Sequence, residues 1–263
     1  MNPRVVVGPK RAPAGVVQAL ADCGVATVHE AMGRRGLLGD RLRPLWPGPR
    51  AAGTAVTVRC APGDNLMVHV AVEQAQPGDL LVITTSSPSR DGFIGELRAT
   101  SMESRGGRGV VTTTGVRDTA EIRKMGFPIW SRTISAQGTV KVTAGAVNVP
   151  ISIGGTIIAP GDVVVADDDG VVCVPLQKAE VIAAAAVQRV EKEVAMREAL
   201  RRGELGLICT ECGRCWSVWE SPTSPPTKRW TPHLLRRGRR LERRRRDLAP
   251  VGAVNSSSCG SAG

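Results

Sequence analysis

The feature that most constrains the fold is a regular exchange between short β-branched runs and helical patterns, punctuated by three Pro-Gly-Asp tripeptides. The tripeptides occupy residues 62–64, 77–79 and 160–162, and each adjoins a run rich in Val, Ile or Thr. Proline presets one turn dihedral and glycine accepts the positive φ of the next position, so the tripeptide is typical of a tight turn. We therefore expect these turns to mark strand boundaries.

The exchange of strand-like and helix-like segments predicts an α/β architecture, because each helix must bury its apolar face against a sheet. Apolar patterns predict strands at 53–60, 80–87, 108–115, 151–159 and 163–175. Helical patterns lie at 16–23, 27–36, 64–75, 93–106 and 119–126. Several of the strands are apolar enough to be covered on both faces.

A single long helix is predicted at 177–203, a segment rich in Ala, Glu, Lys and Arg that contains no Pro and ends at Gly203. Two packing arrangements remain open for this helix, one on its own domain and one on a neighbouring subunit. The compact body is predicted to span residues 1–207.

The chain of 263 residues has a net charge of +11, but most of it lies near the C-terminus. Residues 208–263 hold 11 Lys and Arg against 4 Asp and Glu. The body lacks an aromatic RNA-binding platform and helix-turn-helix spacing, so we expect no specific nucleic-acid partner. It also lacks an apolar run of the ~18–20 residues that cross a bilayer, and the N-terminus lacks a signal-peptide pattern. We expect a cytoplasmic protein without membrane association, whose Cys23, Cys60 and Cys173 are reduced core thiols.

Residues 113–127 place Arg117 and Asp118 between a predicted strand and a predicted helix. Taken alone, such a pair is typical of an ion pair at a helix start. The two histidines on helical faces, His29 and His69, are interpreted as structural because no second His or Cys stands at ligand spacing.

Several separated segments occur in an order and spacing that resemble a known family. They are residues 26–48 (ATVHEAMGRRGLLGDRLRPLWPG), 52–83, 86–101 (SSPSRDGFIGELRATS), 115–132 (GVRDTAEIRKMGFPIWSR), 136–141 and 160–175. Together they resemble the 4-hydroxy-4-methyl-2-oxoglutarate aldolase/4-carboxy-4-hydroxy-2-oxoadipate aldolase family, in the superfamily of the regulator of ribonuclease activity A-like proteins. The resemblance implies an αββα sandwich related to the swivelling phosphohistidine domain. It also implies homotrimers or homohexamers with active sites in the clefts between subunits.

In these aldolases an acidic residue or Gly precedes a twenty-residue spacer and an Arg-Asp pair, and another acid follows two residues later. Glu96, Arg117, Asp118 and Glu121 match that pattern here. The resemblance implies that Asp118 binds Mg²⁺ or Mn²⁺, since a 2-oxo acid can chelate a hard cation that one carboxylate holds. Arg117 is expected to bind substrate and to stabilise the enolate oxygen.

The resemblance also assigns roles around the pair. The backbone amides of Gly95, Glu96 and Leu97, at a helix start, are expected to bind the substrate carboxylate. Glu96 is expected to tune the water that transfers protons, and Glu193 is expected to enter from a neighbouring subunit, with Glu191 close to it in sequence. Residues 112–115 (TTTG) lack the Asp that relatives commonly carry before the Gly.

The implied activity is cleavage of either aldol substrate to pyruvate plus pyruvate or oxaloacetate, with oxaloacetate decarboxylation as a side activity. The competing hypothesis is a non-enzymatic regulator that binds an RNA-degrading enzyme. Asp118 separates the two, because the residue after the matching arginine is not acidic in the regulator. A nucleic-acid binder acting through the Arg-rich tail is a third hypothesis.

The tail from Ile208 departs from the family, although Cys209, Cys212 and Cys215 have a spacing that otherwise indicates a metal site. Allowed codons for ICTECGRCWSVWES, preceded by one restored base, translate as DMYGMRQVLERLGV, which matches the family's ending. We therefore interpret residues 208–263 as the product of a frameshift. Their composition predicts a disordered basic tail without an evolved function.

Overall fold

A computed structural model describes residues 3–39 and 41–204 of the chain. The predicted domain boundary at 207, the frameshifted tail and its cysteine cluster lie outside the described residues.

The described residues form twelve β-strands and five α-helices, with helices between strands in the first half of the chain and consecutive strands between residues 129 and 174. The strands are β1 Arg4–Val5, β2 Arg43–Pro44, β3 Ala51–Cys60, β4 Asp79–Thr85, β5 Gly92–Ile94, β6 Gly109–Val116, β7 Ile129–Ile134, β8 Ala146–Val147, β9 Ile151–Ile153, β10 Thr156–Ile158, β11 Val163–Asp167 and β12 Gly170–Val174. The helices are α1 Ala14–Ala31, α2 Leu66–Gln74, α3 Glu96–Glu103, α4 Thr119–Met125 and α5 Ala179–Arg201, the last preceded by a 3₁₀ turn at Leu176–Lys178.

The central sheet is mixed, with the strand order β1-β8-β3-β4-β6-β7-β2. Strands β3, β4, β6 and β7 run parallel to one another. The short strand β5 pairs in parallel with the C-terminal end of β6. Strand β11 pairs antiparallel with β3 and with β12, while β9 and β10 form a separate hairpin. The carboxyl ends of β3, β4 and β6 therefore share one edge of the sheet.

Three apolar clusters separate four layers of structure. One face of β3 and β4, with Val56, Val58 and Leu81, packs against α2, α3 and α4. The opposite face, with Leu80 and Val82, packs against the hairpin strands and β11–β12. The outer face of β11–β12 packs against α1 and α5. The order helices, sheet, strands, helices confirms the predicted α/β sandwich with a long C-terminal helix.

The three Pro-Gly-Asp tripeptides form turns, as predicted, and their aspartates are buried acceptors of backbone amides. The glycines have φ values of +70°, +88° and +95°. The carboxylate of Asp79 binds Arg11 through two hydrogen bonds of 2.9 and 2.8 Å. Asp162 accepts from the amides of Ala159 and Leu176. Each turn thus ties its strand to a segment distant in sequence or to the next element.

Helix α1 spans the two helices that were predicted separately, and the two helical segments meet at Gly24. Gly24 has φ +77° inside this helix and produces a kink. The carboxylate of Asp167 accepts the amide of Val25 at 2.9 Å, which satisfies a donor at the point where the helix restarts. The helix ends at Ala31 rather than at 36, because Gly33 and Gly36 adopt positive φ.

Two other sequence predictions differ from the structure. The predicted helix at 93–106 begins only at Glu96, because Gly92–Ile94 pairs with the end of β6 as β5. Strand β7 was not predicted, and its Trp130 is fully buried, with its indole N–H donating to the carbonyl of Asp167 at 2.8 Å. The Asp-rich segment 167–170 is the tight turn between β11 and β12. Within the described residues, no helix combines the length and apolar character needed to span a membrane.

Candidate active site

Parallel pairing of β5 with β6 brings together the two sequence-predicted parts of the site. Gly92 lies opposite Gly115 and Ile94 lies opposite Val116, so the residues that follow both strands emerge side by side. The amide of Arg117 donates to the carbonyl of Ile94 at 2.9 Å. The twenty-residue spacer between Glu96 and Arg117 therefore contains α3 and β6, which return the chain to the same edge.

Asp118 occupies the N-cap position of α4, but its side chain does not cap that helix. Its backbone is in the left-handed region, with φ 55° and ψ 38°, a conformation that costs free energy for a residue with a Cβ. The carboxylate turns instead to the neighbouring helix, where Oδ2 accepts the amide of Glu96 at 3.1 Å. The simple helix-cap interpretation of the pair is therefore incomplete.

The Arg117 and Asp118 side chains adjoin each other in a solvent-accessible position. Arg117 Nε lies 3.7 Å from Asp118 Oδ2, and the side chains are 48% and 43% exposed. An ion pair this exposed contributes little stability, so folding alone does not account for its placement. Among the described residues, Asp118 Oδ1 accepts no hydrogen bond, which leaves one carboxylate oxygen available to an external group.

Two glycines make room for this arrangement. A Cβ at Gly95 would overlap Asp118 Oδ2 and lie 3.0 Å from Arg117 Nε. A Cβ at Gly92 would lie 2.7 Å from the carbonyl of Ser135 and 3.3 Å from the Cβ of Arg117. Gly95 has φ −129°, which any residue adopts, so space rather than backbone freedom requires glycine there.

The predicted anion-binding amides lie at the first turn of α3. The Glu96 amide is already bound to Asp118, whereas the Leu97 amide has no hydrogen-bond acceptor among the described residues. The Leu97 side chain is 71% exposed beside it. An unpaired N–H at a helix start is favourable for an anion because the helix dipole adds to the hydrogen bond.

The Glu96 side chain is oriented by a residue that sequence reasoning missed. Thr100 Oγ1 donates to Glu96 Oε1 at 2.8 Å, one helical turn away on α3. Thr100 also lies 3.7 Å from the sulfur of Met125 on α4. The i,i+4 spacing of a carboxylate and a hydroxyl was the available sequence signal.

A second missed residue, Asp64, holds the loop that borders Arg117. Its carboxylate accepts the amides of Val142 and Thr143 at 2.8 and 2.6 Å, and also an amide at the start of α2. Burial, the largest contribution, raises the pKa of Asp64, but these hydrogen bonds together lower the pKa below its ordinary value. At the other end of this loop, Gly138 lies beside Arg117 Nη1. The Pro-Gly-Asp turn was the sequence signal.

His69 supports the same region as a neutral side chain. Arg98 Nη1 lies 3.2 Å from His69 Nδ1. Burial, followed by the charges of Arg98 and Lys141, lowers the pKa of His69, against a smaller opposite effect of Glu73. This histidine therefore contacts a cation rather than other metal-ligand types, in keeping with its interpretation as structural.

Among the described residues, no hydrogen bond or ion pair joins the remaining predicted site residues, Glu193 and Glu121, to the pair. Glu193 Oε1 lies 3.0 Å from Arg189 Nε, and Arg189 Nη2 lies 3.8 Å from Glu30 on α1. Glu121 is exposed on the first turn of α4. The entry of Glu193 into a neighbouring subunit's site stays a prediction.

Comparisons with known proteins identify the family of the chain. A family model described as RraA-like, Aldolase/RraA, matches residues 25–173. A protein of Halalkalibacterium halodurans, provisionally named 4-hydroxy-4-methyl-2-oxoglutarate aldolase, is 34% identical over 165 residues, covering 63% of this chain and 77% of the relative. A Burkholderia multivorans protein with the same provisional name is 34% identical over 154 residues, covering 57% of this chain and 93% of the relative.

Solved structures show the same fold. Streptomyces coelicolor RraAS2, described as an unusual member of the RNase ES inhibitor RraA family, has a TM-score of 0.65 at 30% identity and covers 72% of this chain and 98% of its own. The RNA-processing inhibitor RraA from Thermus thermophilis has a TM-score of 0.52 at 25% identity, covering 57% and 91%. The family model spans more than half of the chain and includes both Glu96 and the Arg117–Asp118 pair. The chain therefore belongs to the RraA-like family of aldolases and RraA proteins.

Proposed function

We propose that this chain is a divalent-metal-dependent aldolase. It would cleave 4-hydroxy-4-methyl-2-oxoglutarate or 4-carboxy-4-hydroxy-2-oxoadipate to pyruvate plus pyruvate or oxaloacetate. The observation that carries the proposal is the convergence of Arg117, Asp118 and the first turn of α3, where the Glu96 amide lies 3.1 Å from the Asp118 carboxylate. Aldolase chemistry is also supported by the provisional names of two relatives.

The residues at the pair fit a hard divalent cation. Among the described residues there is no cluster of three or more His, Cys, Asp or Glu side chains arranged to hold a metal. A cation beside Asp118 would therefore take most of its ligands from water and substrate, as Mg²⁺ commonly does, and Mn²⁺ has the same preference for oxygen. The protein ligand would be Asp118 Oδ1. This oxygen accepts no hydrogen bond from the described residues, and its side chain is partly exposed.

Substrate binding uses the charges and the free amide around the cleft. The guanidinium of Arg117 is permanently charged and offers a planar set of donors to a carboxylate or to a 2-oxo oxygen. The Leu97 amide would donate to the substrate carboxylate at the positive end of α3. Gly92 and Gly95 keep the approach to Arg117 open, since a Cβ at either position would meet the pair or its support.

Cleavage begins when the C4 hydroxyl loses its proton and the bond between C3 and C4 breaks. The bond electrons move onto C3 and into the adjacent 2-oxo group, which forms the enolate of pyruvate, and C4 becomes the carbonyl carbon of the second product. A divalent cation would supply Lewis acidity at the 2-oxo group. Arg117 stabilises the negative charge on the enolate oxygen, and protonation of C3 then releases pyruvate. Decarboxylation of oxaloacetate passes through the same enolate and would be a side activity.

Proton transfer is assigned to solvent held by carboxylates. Glu96 would orient a water molecule near the C4 hydroxyl, with its own side chain held by Thr100 at 2.8 Å. Glu193 would add a second carboxylate from a neighbouring subunit of a homotrimer or homohexamer. Each single chain would then hold an incomplete site.

The test is release of pyruvate from 4-carboxy-4-hydroxy-2-oxoadipate by the purified chain, with Mg²⁺ and with EDTA. The Asp118→Asn variant should lose metal-dependent release, whereas Glu103→Gln, which removes one exposed negative charge on α3, should retain it. Metal-independent release, or full activity in Asp118→Asn, would contradict the proposal.

The second candidate is a regulator that binds an RNA-degrading enzyme. It is favoured by the 30% identity to Streptomyces coelicolor RraAS2, a member of an RNase-inhibitor family. The acidic residue at Asp118 argues against it, because a regulator needs no metal ligand. Absence of pyruvate release combined with inhibition of a purified RNase E-type enzyme would favour the regulator.

A further inference from the structure

A cavity of about 440 Å³ opens at the edge of the sheet opposite the candidate active site. Its wall includes Ala51 at the start of β3, the Pro77–Gly78 turn before β4, and Arg108 just before β6. These three strands are parallel, so their amino ends share this edge. The length of β6, at ~3.3 Å per residue, separates the cavity from Arg117 by roughly 25 Å.

The cavity carries unpaired positive charge. Among the described residues, Arg50 and Arg108 make no ion pair and no side-chain hydrogen bond, although both line the cavity. Arg11 also lines it, but its guanidinium is bound to Asp79 and to a backbone carbonyl. The opposing charge in the wall is Asp22, which accepts a hydrogen bond from Gln18 at 2.8 Å. Two arginines therefore face one carboxylate.

A hydroxyl in the same wall has no hydrogen-bond partner among the described residues. Thr54 is 4% exposed and lines the cavity, and its hydroxyl makes no hydrogen bond to other described residues. This hydroxyl is not one of the fully enclosed unpaired polar atoms of the described residues, so it is accessible from the cavity and can donate to a group there. The rest of the wall is mostly small and apolar: Ala12, Ala14, Val17, Ala21, Ala51 and Ala52.

We propose that this cavity binds a small organic anion. Its oxyanion group, a carboxylate or a phosphate, contacts Arg50 and Arg108 and accepts from the hydroxyl of Thr54. A short aliphatic body packs against the apolar wall that α1 provides. The volume is within the roughly 300–1,000 Å³ range of small-molecule sites. This site is separate from the Arg117–Asp118 cleft and does not depend on the proposed aldolase activity.

The experiment is titration calorimetry of the full chain at constant ionic strength and in EDTA. Succinate, inorganic phosphate and choline are the probes. We expect saturable binding of succinate, of phosphate or of both, and none of choline. Binding of succinate alone would identify carboxylates as the ligand class, and binding of phosphate alone would identify phosphates.

Variants locate the binding. Arg50→Gln and Arg108→Gln should each weaken it about 10-fold or more, because each removes a charge-assisted hydrogen bond. Thr54→Val should weaken it while Thr54→Ser retains it. Arg35→Gln, which removes an exposed arginine outside the cavity, and Arg117→Gln, in the candidate active site, should leave it unchanged.

Three results would overturn the proposal. The first is unaltered affinity in both Arg50→Gln and Arg108→Gln. The second is loss of binding in Arg117→Gln alone. The third is the absence of saturable heat with every anion at about 10 mM, because a Kd above that concentration means negligible specific affinity. Circular dichroism melting of each variant confirms that the fold is retained before its heats are compared. None of these results bears on pyruvate release, so a failure here is distinct from a failure of the proposed function.

Discussion

Substitution of Gly95 by Ala is the sharpest test of the candidate active site. The added Cβ would overlap Asp118 Oδ2, a distance that real Cβ atoms essentially never show, and would lie 3.0 Å from Arg117 Nε, a tight contact. Because φ at this position is −129°, alanine introduces no backbone strain. The Asp118 side chain is 43% exposed and is free to swing away, so the fold should tolerate the change.

The cost is therefore expected in catalysis rather than in stability. Moving the carboxylate breaks its solvent-exposed hydrogen bond to the Glu96 amide and displaces the proposed metal ligand, and each loss of about 1.4 kcal/mol of transition-state stabilisation lowers the rate about 10-fold. If that geometry is needed in the transition state, kcat/KM for pyruvate release falls about 10- to 100-fold. We expect the free energy of unfolding to change by less than about 1 kcal/mol.

The assay measures pyruvate release at saturating Mg²⁺, together with Mn²⁺ binding followed by electron paramagnetic resonance. Gly15→Ala is the matched control, because a Cβ at Gly15 in α1 meets no atom within 4 Å and its φ is not positive. It should leave both readouts unchanged. Full activity and unchanged Mn²⁺ binding in Gly95→Ala would refute the reasoning that space at this glycine positions Asp118.

Three further predictions concern stability and reactivity. Asp64→Asn should lower the free energy of unfolding by about 1–3 kcal/mol in chemical denaturation, because a buried charged acceptor of three amides is lost. The hydrogen bonds lower the pKa of Asp64 in the folded chain, although burial acts in the opposite direction. The contribution of Asp64 to the free energy of unfolding should therefore be complete above about pH 3.9 and be lost as the pH falls through the folded pKa. The same pH dependence of stability in the wild-type chain and in the Asn variant would contradict this. Burial raises the pKa of Cys60 to about 12 and also raises that of Cys173, so site-resolved mass spectrometry should find both unlabelled by iodoacetamide at about pH 8 until the chain unfolds. Asp167→Ala should destabilise the fold by about 1–2 kcal/mol, because it removes the acceptor of the Val25 amide at the kink of α1 and of the Asp169 amide in the turn after β11. The exposed Asp169→Ala, whose side chain accepts no hydrogen bond among the described residues, should cost clearly less, and equal thermal shifts would argue against these acceptor roles of Asp167.

The conformation of Asp118 is better explained by the proposed function than by the capping of a helix. Its backbone lies in the left-handed region at the start of α4, while its carboxylate reaches the start of α3. A residue that served only as a helix cap would direct its side chain to its own helix. The strained backbone and the exposed carboxylate together are typical of functional positions, where packing of the surrounding elements maintains an unfavourable conformation.

Local sequence determined most of the architecture. Pro-Gly-Asp turns, β-branched runs and the Ala-rich helix act over a few residues, so their strand and helix positions could be read directly. Helix α5, predicted at 177–203, spans Ala179–Arg201, and the three turns fall where expected. The candidate pair, Arg117 and Asp118, was also identified from the sequence, because its spacing from Glu96 resembles the pattern of the aldolase family; taken alone, the pair indicated only an ion pair at a helix start.

Only the tertiary structure decided the features that depend on contacts distant in sequence. Strand β5 exists because Gly92 and Ile94 find partners on β6, although residues 93–106 have a helical pattern. The kink of α1 is supported by Asp167, 142 residues away from the amide that it accepts. The direction of the Asp118 carboxylate depends on where α3 begins after that pairing. Hydrogen bonds of this kind form between segments that only the folded chain brings together, and no local pattern encodes them.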